Sequence, residues 1–587
     1  MKQTKIIILI TVVTGIVAFW ACSKNFLNQQ NTFGASEDAT FQKESDVVGL
    51  INGIYDSYQN ADLLKKSIWY YANFQTHDWF NYGADVAWNN YQITPNFAAL
   101  SVFWNNAYIA IARANSAFGI IDRANAKGIV SAALAQRLKG EAYFLRGMTY
   151  YYLAGSFGGV PLELNSVTDG LTPRSSQDSV FAQVVVDMDS AAGLLPWKED
   201  YAASDLGRAT KGAAIGYKGQ AQMWLKDYAG AITTFNQLDG KYHLLPKFLD
   251  VHEFNNQNND ESLFEIQFDL PQGGSQSWDG SWQNGGELAW IDDFGWPEEI
   301  SNFGYDYGNP ALWLSYQSGD TRKFATIIGP GDSSISPGII GRGGIKSYPL
   351  VISGFTSTDT VNYGGGVSIP RKLIYTGDDN KIINTCGSLA RPWYGLSDQK
   401  RSGYYDAKKW RDPTLNGNSG DQTIFGSQNQ IMLRYAEILL SRAECKVHTG
   451  DVAGAMADIK LVRDRAWGGT APAIMQDGAR YDGTPAAPIT DPLQMVLSEY
   501  RHELTAEYSL FYDLRRAGTD VAIAFIHDAY GTDNTTDPQP NPAPGPTHDG
   551  QAHGIYRTAL TAGRDLLPIP QAARGLNPNL TQNPAYQ

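Results

Sequence analysis

Cysteine is scarce in this sequence. Its 587 residues include three cysteines, Cys22, Cys386 and Cys445. Because so few cysteines cannot build a disulfide framework, a small disulfide-stabilised scaffold is excluded. Cys445 lies in an apolar helical pattern and is predicted to be a small core residue. Pairing with Cys386, which stands in a loop-like stretch, is the alternative.

Basic residues are also in deficit. Lys and Arg number 46 against 60 Asp and Glu, which gives a net charge of −14, and loss of Lys2 and Lys5 with a leader would make it −16. An acidic protein repels a phosphate backbone, so nucleic acid is not expected as a partner. The eight histidines are scattered without the spacing of metal ligands, so neither a metal nor a cofactor is predicted.

Signatures of common enzymes are missing. His502 and Glu503 begin a metalloprotease-like motif, but Ala506 stands where the second histidine ligand belongs. Neither a Gly-x-Ser-x-Gly elbow nor a phosphate-binding Gly-rich loop with Lys occurs. Paired carboxylates for glycoside hydrolysis stay possible, although a solvated acidic loop or weak calcium contacts are the plainer interpretation. The candidates are Asp292, Asp293, Glu298 and Glu299.

No apolar run of spanning length follows the first 21 residues, and those residues have the pattern of a secretory leader. Lys2 and Lys5 precede sixteen uncharged residues, Ile6 to Ala21, and a membrane span needs roughly 20 apolar residues. Cleavage at residue 21 would make Cys22 the first mature residue, the position that bacterial lipoproteins acylate. We therefore predict a leader at 1–21 and a lipid anchor at Cys22. A plain signal peptide or an uncleaved N-terminal anchor is the alternative.

Helical periodicity dominates about 40–240 and 430–530. Residues 138–152 repeat apolar side chains at steps of four and three, 102–123 do the same, and two helices joined so closely should lie antiparallel. "AQMWLKDYAGAITTF" (221–235) and "AECKVHTGDVAGAMADI" (443–459) share an Asp-x-Ala-Gly-Ala turn between amphipathic stretches. This repetition favours tetratricopeptide-like helix pairs, with chance similarity as the alternative.

The last third of the chain contains two further patterns. "EYRHELTAEYSLFYDLRR" (499–516) predicts a core helix, with Tyr500, Leu504, Tyr508 and Phe511 on one face. Its charged residues would then pair at helical spacing, weakly if exposed: Arg501, Glu503, Glu507 and Arg515. Four prolines among the 23 residues from Asp565 onward predict an extended C-terminal segment at about 555–587 instead of a helix. The stretch 533–554, rich in Pro, Asn and Gly, is predicted to be an exposed linker or flap.

The middle of the chain differs from its flanks. Residues 269–430 hold 26 of the 59 glycines and 7 of the 15 tryptophans, and "SLFEIQF" (262–268) is strand-like. We predict a mostly α single domain, 22–587, in which a loop-rich, partly β region at about 260–430 is laid over the helical scaffold. Binding residues tend to lie on such loops.

Aromatic residues in these loops favour carbohydrate binding. An indole can cover the apolar face of a sugar while Asn, Asp, Gln or Arg binds the hydroxyls at its edge. "THDWFNYGADVAWNNYQ" (76–92), "QSWDGSWQNGGELAWIDDFGWPEE" (276–299) and "RPWYG" (391–395) interleave these residue types. A loop tryptophan that packs inward to hold its own loop is the alternative at each position. The candidates are Trp79, Trp88, Asn90, Trp278, Trp282, Trp296 and Trp393.

Eight collinear stretches together resemble the SusD/RagB family of outer-membrane nutrient-binding lipoproteins. They include "FWNNAYIAIARANSAFGIID", "LKGEAYFLRGMTYYYLAGSFGGVPL", "IMLRYAEILLSRAE" and the ending "LLPIPQAARGLNPNLTQNPAYQ". The resemblance implies a tetratricopeptide-like scaffold and a lipid-held body that sits as a lid on a SusC-type TonB-dependent barrel. In that scheme the lid captures an oligosaccharide outside the cell and catalyses nothing. Cys22 is the one functional residue that the family motif itself assigns.

The sequence thus predicts a glycan-binding lipoprotein on the outer face of the outer membrane, which passes its ligand to a SusC-like transporter. Three alternatives stay open. The same architecture can serve another nutrient, such as a peptide. The chain can instead be a glycoside hydrolase, or a structural lid without a ligand site.

Overall fold

A computed structural model describes the greater part of the chain. The described residues are 41–60, 63–81, 85, 87–89, 91–268, 306–328, 335–337, 360–362, 368–370, 374–376, 381–383, 405–408, 428–479, 485–530 and 560–587.

Helices make up most of the described chain. A π-helical turn, Leu64–Trp69, leads directly into α2. The α-helices are α1 (Glu44–Gln59), α2 (Tyr70–Phe74), α3 (Ala98–Ala126), α4 (Ala132–Phe157), α5 (Gln177–Leu194), α6 (Lys211–Trp224), α7 (Tyr228–Phe235), α8 (Pro310–Ser315), α9 (Arg322–Thr326), α10 (Tyr435–His448), α11 (Val452–Trp467), α12 (Pro492–Leu504), α13 (Leu510–Ala517), α14 (Thr519–Tyr530) and α15 (Gln571–Leu576).

The strands are short and pair two by two. They are β1 (Trp79–Asn81), β2 (Ser262–Ile266), β3 (Asp306–Gly308), β4 (Ile327–Ile328), β5 (Thr360–Asn362), β6 (Ser368–Pro370), β7 (Ile374–Thr376), β8 (Lys381–Ile383), β9 (Tyr405–Asp406) and β10 (Gln430–Arg434). The antiparallel pairs are β1 with β3, β2 with β10, β4 with β9, β5 with β6 and β7 with β8. The predicted mostly α fold with a partly β overlay is confirmed.

The helices α3 and α4 cover the two helical predictions and run antiparallel, as expected. Contacts that lie further toward the C-terminus of α3 lie further toward the N-terminus of α4. The rings of Phe118 and Tyr143 lie 4.4 Å apart, whereas Phe103 near the start of α3 meets Phe157 at the end of α4 at 5.2 Å. One continuous apolar core extends from α1 to Leu580, so a single scaffold holds both ends of the described chain.

The two Asp-x-Ala-Gly-Ala turns are equivalent in structure. Asp227 accepts a hydrogen bond from the backbone N–H of Gly230 at 3.0 Å and caps α7, and Asp451 accepts one from Gly454 at 2.9 Å and caps α11. The helix pairs α6–α7 and α10–α11 also contact each other, because the Gln220 amide donates to Oε1 of Glu437 at 3.0 Å. The predicted tetratricopeptide-like pairing is confirmed.

The predicted single helix over 499–516 is wrong. The helix α12 ends at Leu504 and α13 begins at Leu510, with Ala506 between them at φ 67°. Residues distant in sequence hold this left-handed conformation. Oδ1 of Asn73 accepts the Ala506 N–H at 2.8 Å, and Trp69 Nε1 donates to the Ala506 carbonyl at 2.9 Å. Tertiary contacts therefore override the local helical pattern.

The C-terminal segment contains one short α-helix and a final 3-10 helix, Pro584–Tyr586, which corrects the prediction of an entirely extended chain. The helix α15, Gln571–Leu576, begins directly after Pro570 and fits into the proline-free interval before Pro578. Proline is tolerated at a helix start, so the four prolines exclude a longer helix but not this one. The predicted linker at 533–554 lies outside the described residues.

In the described part of the chain, no helix has both the length and the apolar character that a membrane span requires. Cys445 is fully buried in α10, which confirms its assignment to the core. Cys386 lies outside the described residues.

Candidate functional site

The loop-rich region leaves and rejoins the scaffold at one place. The strand β2, at its start, pairs with β10, at its end, so that Ile266 stands opposite Gln430. Beyond this pair the backbone N–H of Phe268 donates to Oδ1 of Asn429 at 3.0 Å. Residues 269–427 thus form an excursion between two neighbouring strands.

A second strand pair joins this excursion to the 76–92 loop. Asn81 on β1 stands opposite Asp306 on β3, and its Nδ2 donates to Asp306 Oδ1 at 2.6 Å. Asn309 extends the junction, because its N–H donates to the Asp78 carbonyl at 2.7 Å and its Nδ2 donates to the His77 carbonyl at 3.0 Å. The junction therefore joins the 76–92 loop to β3, which begins in the sequence seven residues after the aromatic stretch 276–299; that stretch lies outside the described residues.

Trp79 and Trp88 are not sugar platforms, and both predictions are corrected here. Each side chain is 0% exposed. Trp79 Nε1 donates to Oγ1 of Thr505 at 2.8 Å, whereas Trp88 packs edge-on against Tyr70 with ring centroids 6.1 Å apart. The two indoles fasten the loop to the scaffold, because a buried aromatic ring contributes more apolar contact than the loop backbone can provide.

Polar residues of the same loop also bind each other. His77, at φ 65°, places its Nε2 3.0 Å from the Asn89 carbonyl, and Asn89 Nδ2 donates to the Asn81 carbonyl at 3.3 Å. These contacts fix the loop backbone at its base. The other predicted site residues lie outside the described residues and stay predictions: Cys22, Asn90, Trp278, Trp282, Trp296 and Trp393. The candidate carboxylates Asp292, Asp293, Glu298 and Glu299 lie outside them as well.

A buried ion network supports this base. Arg434 on β10 binds Glu261 at 2.8 Å, Glu503 at 2.6 Å and Glu507 at 2.7 Å. Arg465 on α11 binds Glu261 at 2.8 Å and also pairs with Glu503. Because every charge in this cluster has an oppositely charged partner in hydrogen-bonding geometry, the cluster tolerates its burial.

Two cations from the loop-rich region enter the network. Arg322 on α9 binds Glu499 at 2.8 Å and Glu503 at 3.1 Å. Lys408, which follows β9, donates to Oε1 of Glu507 at 2.6 Å and to the Thr505 carbonyl at 2.8 Å. The loop-rich region is therefore fastened to α12 and to the break that follows it by buried charge as well as by strand pairing.

The network keeps Glu503 and Glu507 ionised. Burial by itself raises the pKa of Glu503, but Arg465, Arg434 and Arg322 outweigh burial and lower this pKa to about 2. Burial likewise opposes ionisation of Glu507, yet Arg434 and Lys408 hold its pKa well below its ordinary value. Burial lowers the pKa of Lys408, against the attraction of Glu507.

The predicted ion pairs within 499–516 are wrong in partner and environment. Each of the four charged residues is buried and binds another part of the chain. Arg501 Nε donates to Asp78 at 2.8 Å and Arg515 Nε to Asp565 at 2.9 Å, while Glu503 and Glu507 belong to the network. One sequence signal indicates this buried pairing with distant residues. Acidic residues recur every four positions in a segment that is predicted to be core, and buried acidic residues require cationic partners.

This network positions the loop base, and its central carboxylates are shielded from solvent. Glu499 and Glu503 have 0% exposed side chains, so neither contacts a ligand that approaches from outside. Within the described residues, no group of three His, Cys, Asp or Glu side chains is placed to hold a metal ion.

A cavity of about 330 Å³ adjoins the loop base. Its lining includes Asp477, Asp491 and Phe525. Arg501, which also lines it, is the residue that binds Asp78 directly before β1. The described residues therefore include a solvent-accessible recess of mixed polar and apolar lining next to the β1–β3 junction.

Comparisons with known proteins agree with this architecture. A relative, SusD-like protein P38 of Formosa agariphila, is 24% identical over 551 residues, which cover 89% of this chain and 93% of that protein. The structure of surface glycan-binding protein A from Bacteroides fluxus superposes with a TM-score of 0.64 at 20% identity, covering 93% of this chain and all of that one. The protein of the same name from Bacteroides thetaiotaomicron, in complex with laminarihexaose, gives 0.65 at 17% identity over 92% of this chain and all of that one.

Two family models match the sequence. One, described as starch-binding associating with outer membrane, matches residues 25–221. The other, described as the SusD family, matches residues 254–586, which is more than half of the chain. The helix-pair scaffold carries a loop-rich excursion whose two ends are joined by the pairing of β2 with β10. This chain belongs to the SusD family.

Proposed function

We propose that this protein is a lipid-anchored glycan-binding protein on the outer face of the outer membrane. It captures oligosaccharides and passes them to a SusC-like TonB-dependent transporter, without hydrolysing them. Membership of the SusD family supports this proposal, as does the likeness to surface glycan-binding proteins, one of which holds laminarihexaose.

The observation that carries the proposal is the junction of β1 with β3. It joins the 76–92 loop to the segment that follows the stretch 276–299, over a base fixed by Trp79, Trp88 and the ion network. A fixed base lowers the ordering cost of binding, because less of the site must be immobilised when the ligand arrives. Stacking by indoles of 276–299 then supplies affinity, and amides supply the edge contacts.

Glycan retention in native affinity gels tests this function. The purified protein is run through gels containing laminarin, xyloglucan or starch, with a peptide-binding assay in parallel. We expect slowed migration with at least one glycan, and about tenfold weaker binding for Trp278→Ala/Trp282→Ala, since about 1.4 kcal/mol of lost stacking is tenfold in affinity.

The matched control is Trp197→Ala. Trp197 lies half-buried on the scaffold, where Lys241 Nζ stacks 4.9 Å from its ring centroid. The control should bind glycans as the wild type does. Retention by no glycan, or binding of peptides in its place, would refute glycan capture.

Turnover and anchoring are tested separately. Incubation with each retained glycan should release no reducing ends, and steady release abolished by Asp292→Asn or Glu298→Gln would establish hydrolysis instead. Cys22→Ser should abolish acyl labelling and move the protein from the membrane to the soluble fraction, because the acyl chains supply about 0.8 kcal/mol per buried methylene. Unchanged membrane retention would contradict the lipid anchor.

A further inference from the structure

The cavity beside the β1–β3 junction lies between α12, α14 and the loop that joins α11 to α12. Its volume is about 330 Å³, and we call it the Arg501 pocket. Its lining includes Arg501 and Ser498 of α12, Phe525 of α14 and Asp477 of the joining loop. Small-molecule sites typically occupy about 300–1,000 Å³, so this pocket has room for a ligand of the size of a sugar unit.

Backbone hydrogen bonds fix the loop wall of the pocket. The N–H of Gly478 donates to the Ser315 carbonyl at 2.6 Å, and the N–H of Ala479 donates to the Leu314 carbonyl at 2.9 Å. Both carbonyls belong to α8, which follows β3 directly. Because this wall is attached to the scaffold before a ligand arrives, binding in the pocket costs little ordering entropy.

Arg501 is a buried residue of the lining, and its guanidinium is only partly paired. The side chain is 3% exposed. Nε donates to Asp78 Oδ1 at 2.8 Å, and Nη2 donates to the Tyr530 hydroxyl at 2.5 Å. Within the described chain Nη1 makes no hydrogen bond, since Asp477 Oδ2 lies 3.8 Å from it. Asp477 lines the pocket whereas Asp78 and Tyr530 do not, so Nη1 is the nitrogen that faces the pocket.

Asp477 supplies the complementary acceptor. Its Oδ1 accepts from the Ser498 hydroxyl at 3.0 Å, and its Oδ2 accepts no hydrogen bond from any residue that the structure describes. Arg501 Nη1 and Asp477 Oδ2 are too far apart to bind each other directly. One ligand oxygen can nevertheless lie about 2.8 Å from both atoms, because twice this distance exceeds their separation.

This pair of atoms selects an uncharged hydroxyl group. A hydroxyl accepts from Arg501 Nη1 and donates to Asp477 Oδ2 at the same time. An ammonium group cannot accept from Arg501, and a carboxylate cannot donate to Asp477 and would be repelled by its charge. Asp491 adds a further acceptor to the lining, and Phe525 adds an apolar ring on which the C–H face of a sugar can pack.

We propose that the Arg501 pocket binds a single uncharged sugar unit, one hydroxyl of which bridges Arg501 and Asp477. This inference rests on the proposed function, because it adds a hydrogen-bonding subsite to a protein that captures glycans. Arg501 binds Asp78 directly before β1, and Ala311 of the lining lies three residues after β3. The pocket is therefore placed to take a chain end or a side branch of a glycan that is held at the β1–β3 junction.

The test is monosaccharide binding to the purified full-length chain in a sugar-free detergent, measured by saturation-transfer difference NMR. The probes are glucose, galactose, mannose, xylose and arabinose, and methylammonium and acetate represent the two ionic alternatives. At least one sugar should bind, and neither ion should displace it. Ala487→Trp, which fills the pocket from its exposed side, and Asp477→Ala, which removes the acceptor, should each weaken binding at least tenfold.

Matched controls change the same residue types outside the pocket. Ala473→Trp places the same ring at an exposed position of the same loop, and Asp189→Ala removes an aspartate that is 57% exposed on α5. Both should bind the sugar within twofold of the wild type. Thermal unfolding confirms that each variant is folded, and Ala487→Trp decides the outcome if Asp477→Ala does not fold.

Three results would overturn the inference: no sugar binds the wild type, the folded pocket variants bind as tightly as the wild type, or methylammonium or acetate displaces the sugar. Polysaccharide retention in native gels tests the proposed function separately. Retention of a polysaccharide without monosaccharide binding means that the Arg501 pocket alone is wrongly assigned. Absence of retention by the wild type means that the proposed function fails.

Discussion

Replacing Arg434 by Met should strongly destabilise the protein. The Arg434 side chain is 0% exposed and binds three carboxylates, those of Glu261, Glu503 and Glu507, within 2.8 Å. Removing one partner from a buried ion cluster costs about 3–5 kcal/mol, because the remaining charges stay buried without compensation. The loss should lie in this range and not above it, since Arg465 and Lys408 still pair with the same carboxylates.

Equilibrium urea unfolding, followed by tryptophan fluorescence of the purified protein without its leader, measures the cost. Arg434→Lys should be intermediate, at about 1.5–3 kcal/mol, because Lys keeps the charge but not the planar fork of donors. Lys460→Met removes an exposed pair with Asp464 on α11 and should cost less than about 0.5 kcal/mol. A loss below about 1 kcal/mol for Arg434→Met would refute the view that this network holds the loop base on the scaffold.

Three further outcomes follow from described contacts. The folded-state pKa of Glu503 is about 2, below its ordinary value of 4.5. Its ionised side chain therefore stabilises the fold above pH 4.5, and this contribution is lost as pH falls toward 2. The unfolding midpoint of Glu503→Gln should change less over this pH interval than that of the wild type. Asp451→Ala removes the cap on Gly454 and should lower the unfolding free energy by about 1 kcal/mol, whereas an unchanged value would show that the cap is dispensable. Trp79→Ala should lower it by about 3–5 kcal/mol, and loss of glycan binding without any destabilisation would contradict the inward packing of this ring.

The sequence allowed the helical scaffold to be predicted where local periodicity and packing agree. The helix α3 buries the face that its repeating apolar positions define, whereas α4 is buried on all sides from Phe144 to Phe157. Asp227 and Asp451 mark equivalent turns because a side-chain cap acts within three residues of chain. In both cases the determinants are local, so one sequence suffices to identify them.

The errors share a different physical cause. Ala506 breaks a well-patterned helix because Asn73, more than 400 positions earlier, accepts its N–H. Trp79 faces inward because Thr505 accepts from its indole. Local composition identifies an aromatic loop, but the direction in which a ring points is decided by residues that are distant in sequence.

The buried ion network was missed for the same reason. The sequence predicts that Glu503 pairs within its own segment at helical spacing, whereas Arg322, Arg434 and Arg465 converge on it from three separate elements. Acidic residues at four-residue spacing in a buried segment indicate that cations lie nearby. The fold alone determines which cations pair with them.

Because β2 pairs with β10, the ligand preference of the loop-rich region can evolve with little effect on the folding of the helical scaffold. Because entry and exit of the excursion are adjacent strands, lengthening it adds only a closure entropy that rises with the logarithm of loop length, about 0.6 kcal/mol per doubling. Length changes between 269 and 427 that keep β3, Arg322 and Lys408, which bind the scaffold, therefore leave the helix pairs undisturbed. One scaffold can carry many alternative recognition segments at nearly constant stability.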